Sequence, residues 1–75
     1  MTVEDNRMVY VDIEYIPNYD VRKRVHKFFN DRGFKIDITL ENQRVVMHLR
    51  SGNIPEFLHL CFIMTLSGEM RQIFT

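Results

Sequence analysis

FKIDITLENQRVVMHLR, residues 34–50, decides how this chain folds. Two runs alternate apolar and polar residues, with only Glu41, Asn42 and Gln43 between them. In the first run Phe34, Ile36, Ile38 and Leu40 share one face, and Lys35, Asp37, Thr39 and Glu41 share the other. In the second run Val45, Met47 and Leu49 point one way, while Arg44, Val46, His48 and Arg50 point the other. Successive strand side chains alternate between faces, so each run predicts a half-buried strand. So short a connection makes the pair an antiparallel hairpin.

Working outward toward the N-terminus, NYDVRKRVHKFFNDRGF (18–34) changes period. Val21, Val25, Phe28 and Phe29 recur at helical spacing and form one apolar face. Asn18 or Asp20 can cap the start by accepting a hydrogen bond from a free backbone N–H, and Gly33 suits the end. A helix is expected over 19–32. Before it, RMVYVDIEYI (7–16) alternates again, with Val9, Val11, Ile13 and Tyr15 on one side and Met8, Tyr10, Asp12, Glu14 and Ile16 on the other. This predicts a strand that Pro17 and Asn18 end. Residues 1–6 are polar and are expected to be a loose N-terminus.

On the other side of the hairpin stands NIPEFLHLCFIMTLSGEM (53–70). Asn53 followed by Glu56 three residues later resembles a capping box, and Pro55 fits the first helical turn. A second helix is therefore expected over 54–66, stopped by Ser67 and Gly68. The tail at 69–74 reads as a short strand. The resulting order is that of a small α+β, ferredoxin-like β-α-β-β-α(-β) sandwich, an antiparallel sheet with two helices on one face. A right-handed crossover makes the first two strands parallel, with the third between them.

The second helix carries more apolar surface than one face holds. Phe57, Leu60, Cys61 and Met64 form an inward stripe, yet Leu58, Phe62, Ile63 and Leu66 spread over the rest. Leaving three large side chains in water forgoes roughly 5–8 kcal/mol by area arithmetic. That rivals the stability of a small domain, so a covering partner is expected, a second copy first of all. Leu58, Phe62, Ile63 and Leu66 are the expected contact surface.

The chain has 75 residues, 45% apolar and 27% charged, and reads as one domain over 1–75. Ten basic residues balance ten acidic ones, so no global field steers it toward nucleic acid or anionic membrane. Cys61 is the single cysteine and sits in an apolar run, as a small buried hydrophobe does. With no disulfide and no recognisable leader, the cytoplasm is the expected compartment. The longest apolar run is too short for a bilayer and His59 interrupts it, so no membrane partner is expected.

Candidate chemistry is sparse. Arg22, Lys23, Arg24, His26 and Lys27 cluster on the first helix and suit contacts to phosphate or another anion. Against base stacking, the third strand has no aromatic residue and the first offers only Tyr10 on the open face. Asp12, Asp37 and His48 share that face and are of metal-ligating type, but no recognised ligand spacing links them. A mixed-charge face with cross-strand pairing explains them as well. Asp12 near a strand end is also where a two-fold, metal-dependent nuclease would need a carboxylate. No nucleophile has a visible base, and the three glycines stand apart in separate turns. The expected function is a non-catalytic, self-associating module that binds and regulates another protein, without cofactor. The alternative is a dimer that binds or processes nucleic acid through the basic helix and Asp12.

Overall fold

The computed structural model describes residues 6–13 and 18–75. It is an α+β domain whose elements run β1 (Met8–Val11), α1 (Tyr19–Asn30), β2 (Lys35–Glu41), β3 (Arg44–Ser51), α2 (Ile54–Ser67) and α3 (Glu69–Ile73). The sheet has three strands in the order β1-β3-β2, with both pairings antiparallel. β1 and β2 are therefore parallel and separated by β3, as expected from the crossover.

The hairpin forms in the expected register: Glu41 opposes Arg44, Ile38 opposes Met47 and Ile36 opposes Leu49. Asn42 and Gln43 both take positive φ, 53° and 64°, the demand of a two-residue type I′ turn. The register shifts between Lys35 and Ile36, where Lys35 pairs with Ser51 and Arg50 is passed over. Such a bulge re-aims a side chain, and Arg50 reaches sideways to the Asp37 carboxylate.

α1 begins where Asn18 Oδ1 accepts from the Val21 N–H at 2.9 Å. Its end is closed by two bonds, from the Phe34 N–H to the Phe29 carbonyl and from the Gly33 N–H to the Asn30 carbonyl. α2 begins in the same way, with Asn53 Oδ1 accepting from the Glu56 N–H at 2.9 Å and Pro55 in the first turn. Gly52, just before it, has φ +135°, and a Cβ there would stand 2.8 Å from Phe34 Cδ1 and 3.0 Å from the Gly33 carbonyl oxygen. Only glycine lets the chain pass so close.

One core holds the layers together. Val21, Val25 and Phe29 of α1 and Phe57, Cys61 and Met64 of α2 meet Val11, Ile36, Val45, Met47 and Leu49 of the sheet. The Phe57 ring lies 5.8 Å from those of Phe29 and Phe34. Tilted aromatic packing of this kind suits the ring quadrupoles. No buried side-chain polar atom among the described residues lacks a partner.

Several expectations are corrected. β1 is short: the Ile13 N–H bonds back to the Val11 carbonyl, a γ-turn that ends the strand. The expected strand positions Glu14, Tyr15 and Ile16, and most of the N-terminus, lie outside the described residues. The tail is a helix and not a strand. Gly68 takes φ +83° and closes α2, after which α3 turns Met70 and Phe74 into the core. Their i, i+4 spacing puts both on one side of a helix, which a strand would also do, but a strand would send Ile73 to the opposite face. Val46 was expected on the open face, and it is there, opposite Tyr10 and Thr39, yet it is fully buried. A central-strand residue flanked on both sides loses its access to water. Leu40, expected inward, is 44% exposed at the hairpin end of β2.

Candidate functional site

α2 is the element from which the candidate site is built. At 100° per residue its buried stripe is Phe57, Leu60, Cys61 and Met64. The opposite stripe is Pro55, Leu58, His59, Phe62, Ile63 and Leu66. Phe62 is 61% exposed, Ile63 47% and Leu66 72%. These three side chains leave roughly 300 Å² of apolar surface in water, the size at which patches on monomers are often functional. Leu58 departs from its expected place: it is half-buried and packs against the core, at the edge of the patch rather than in it.

No Asp, Glu, Lys or Arg occurs from Phe57 to Gly68. Depletion of charge marks the centre of protein interfaces. His59 is the one titratable side chain on this face. Thr65 is turned back on the helix and donates from Oγ1 to the Cys61 carbonyl at 2.8 Å, which hides its polarity. Ser67 does the same to the Met64 carbonyl at 3.2 Å. α3 folds against the inner side of α2 and leaves the outer stripe uncovered.

Cys61 faces the core, where burial pushes its thiol up to about 12. A thiol so placed stays protonated at neutral pH, as a buried structural cysteine does.

The basic residues of α1 are not brought together as one patch. Arg22 and Arg24, two positions apart, leave the helix on opposite flanks. Lys27 pairs with Asp31 one turn on, at 3.2 Å, and both are exposed. Such surface pairs contribute little to stability. Lys27, with His26, lines a groove beside β2, and Lys23 lies one turn earlier on that flank.

On the open sheet face, Asp37 lies opposite His48, in a cleft that Arg7 and Arg50 also line. The Asp37 hydrogen bond and charge hold the Arg50 guanidinium proton more tightly than usual. Asp12 is far from this pair: Met8 opposes His48, and Asp12 follows four residues later, roughly 13 Å along a strand. It lies instead in two clefts shared with Tyr10 and, in one of them, Arg44; neither has a second carboxylate among the described lining residues. No group of three or more metal-ligating side chains forms among the described residues. No described helix is long and apolar enough to cross a membrane.

The chain matches no known family model, and neither curated proteins nor solved structures are significantly similar to it.

Proposed function

We propose that this chain is a small non-catalytic interaction module of ferredoxin-like arrangement that self-associates through the outer face of α2 and, so assembled, binds and regulates a protein partner. One observation carries the reading: a charge-free stripe of Phe62, Ile63 and Leu66 stands in water directly opposite the stripe of α2 that fills the core. Covering roughly 300 Å² contributes on the order of 7 kcal/mol before the cost of association. A stable interface needs about 800 Å² from each partner. The apolar stripe supplies the centre of that area, and Pro55, Leu58, His59 and Thr65 supply a rim. A second copy, related by a two-fold axis, offers the same face and satisfies both at once.

The alternative of nucleic-acid binding has less support. Arg22 and Arg24 diverge, Asp31 partly neutralises Lys27, and no second carboxylate lines the clefts at Asp12 among the described residues.

Sedimentation equilibrium tests the reading. The parent chain is expected at dimer mass. Phe62→Glu and Leu66→Glu, both at exposed positions, are expected at monomer mass with unchanged circular dichroism. A parent that stays monomeric at high concentration overturns it.

A further inference from the structure

The two edges of the sheet differ. β1 is four residues long and runs beside the corner between α2 and α3, where Thr65, Gly68, Met70 and Arg71 line a cleft with it. β2 is seven residues long, and its outer side has no strand partner among the described residues. An unpaired edge presents a row of free N–H and C=O groups, and natural proteins blunt or cover it unless it has a use.

The register identifies which groups are free. In a two-residue hairpin the residues flanking the turn, Glu41 and Arg44, exchange both backbone bonds. Such pairs alternate along an antiparallel ladder, so Thr39 with Val46 and Asp37 with His48 are the next ones. The N–H and C=O groups of Ile36, Ile38 and Leu40 therefore point away from β3.

Beside the first residues of that edge, Lys35 to Asp37, lies a groove of about 650 Å³. His26, Lys27 and Asn30 of α1, with Asp31 just beyond its end, form one wall, Lys35 and Asp37 with Arg50 the other, and Phe34 and Ile36 the apolar floor. Three Lys and Arg side chains thus face two carboxylates. Asp31 is engaged by Lys27 and Asp37 by Arg50. Lys35, exposed at the start of β2, has no ion-pair partner among the described residues, so the surplus charge is positive.

A helix flank facing a free strand edge, with an apolar floor between them, is the geometry in which an extended peptide adds a strand to a sheet. We infer that the groove between α1 and β2 binds an extended acidic peptide, which pairs with the free backbone groups of Ile36, Ile38 and Leu40. Its apolar side chains face Phe34 and Ile36, and its carboxylates meet Lys35 and the Lys23–Lys27 flank of α1. This goes beyond self-association and stands on other residues. The partner is a peptide and not a nucleic acid, because the free groups at this edge are alternating backbone N–H donors and C=O acceptors, which another strand matches and a phosphate chain, with acceptors only, does not.

Fluorescence anisotropy of a short labelled peptide alternating glutamate and valine tests this on the full chain. Saturable binding is expected, with the lysine–valine counterpart at least tenfold weaker. A copy N-methylated along the edge that faces β2 is expected to lose binding. Leu40→Pro removes one outward N–H at an edge position that tolerates proline, and Lys35→Glu reverses the free charge. Each is expected to weaken binding about tenfold. In hydrogen exchange, the amides of Ile36, Ile38 and Leu40 are expected to gain protection on binding, while those of Asp37, Thr39 and Glu41 are protected already. Absence of binding overturns the inference, as does equal binding of the N-methylated copy. Tighter, steeply salt-dependent binding of a single-stranded oligonucleotide that the peptide cannot displace also overturns it, in favour of nucleic acid. Mass reads the face of α2 and peptide binding reads the edge of β2, so either reading can fail alone.

Discussion

α1 and α2 start from the same local grammar and end with opposite outer faces. Each is opened by an asparagine whose side chain caps the third residue beyond it. Each buries a stripe at helical spacing, Val21, Val25 and Phe29 in one, Phe57, Cys61 and Met64 in the other. The outer face of α1 is then charged, so water covers it at no cost. The outer face of α2 is apolar, so water covers it badly. Packing against the core cannot account for that second face, because the core already has its stripe. In the reading proposed above, α2 therefore carries the self-association surface and α1 forms a wall of the groove beside β2.

The comparison breaks first at the inner stripes, where the helices should behave alike. Phe29→Ala and Phe57→Ala each remove a fully buried ring from one cluster. Each is expected to cost about 3–5 kcal/mol in urea unfolding. A loss below about 1 kcal/mol for Phe57 alone would mean that α2 does not pack as α1 does.

Next in size is the entry to α2. Gly52→Ala must place a Cβ against Phe34 and the Gly33 carbonyl at a φ that side chains avoid. It is expected to cost roughly 2 kcal/mol or more. A neutral melting temperature would show that the entry to α2 is not as tight as this contact implies.

Alkaline pH sharpens the comparison, since only α2 buries a thiol. The folded chain holds the Cys61 proton up to about pH 12, while an unfolded thiol releases it from about 8.5. The unfolded state then binds fewer protons, so stability falls as pH rises through that window and is unaffected below it. Cys61→Ala is expected to flatten this part of the curve in pH-dependent unfolding, and native Cys61 is expected to resist alkylation at neutral pH. Rapid labelling of the folded chain would contradict the burial.

The smallest effect concerns the caps. Asn18→Ala and Asn53→Ala are each expected to lose about 1 kcal/mol, measurable as similar shifts in thermal midpoint. Lys23→Ala, on the solvated face of α1, should stay within about 0.5 kcal/mol.

The fold was legible where a residue's neighbours in sequence settle its neighbours in space. The hairpin, both asparagine caps and both inward stripes follow from periods of two and 3.6 and from local hydrogen bonds. The tail was not, because Met70 and Phe74 share a face in either conformation. Only the position of the core beneath Gly68 chose the helix. Val46 lies on the face its alternation assigns, yet it is buried there, because the strands on either side decide whether that face is wet.

Of the candidate site, the surplus of apolar residues on α2 could be read directly, since no helix can turn Phe62 and Met64 the same way. That Leu58 belongs to the core's edge and that Asp12 lies far from Asp37 needed the packed molecule, whereas the parting of Arg22 and Arg24 follows from their spacing on a helix. The groove beside β2 had no sequence signal at all. Local order follows from chain chemistry over a few residues. Which strand ends the sheet, and what stands beside it, is settled only when distant segments compete for the same partners.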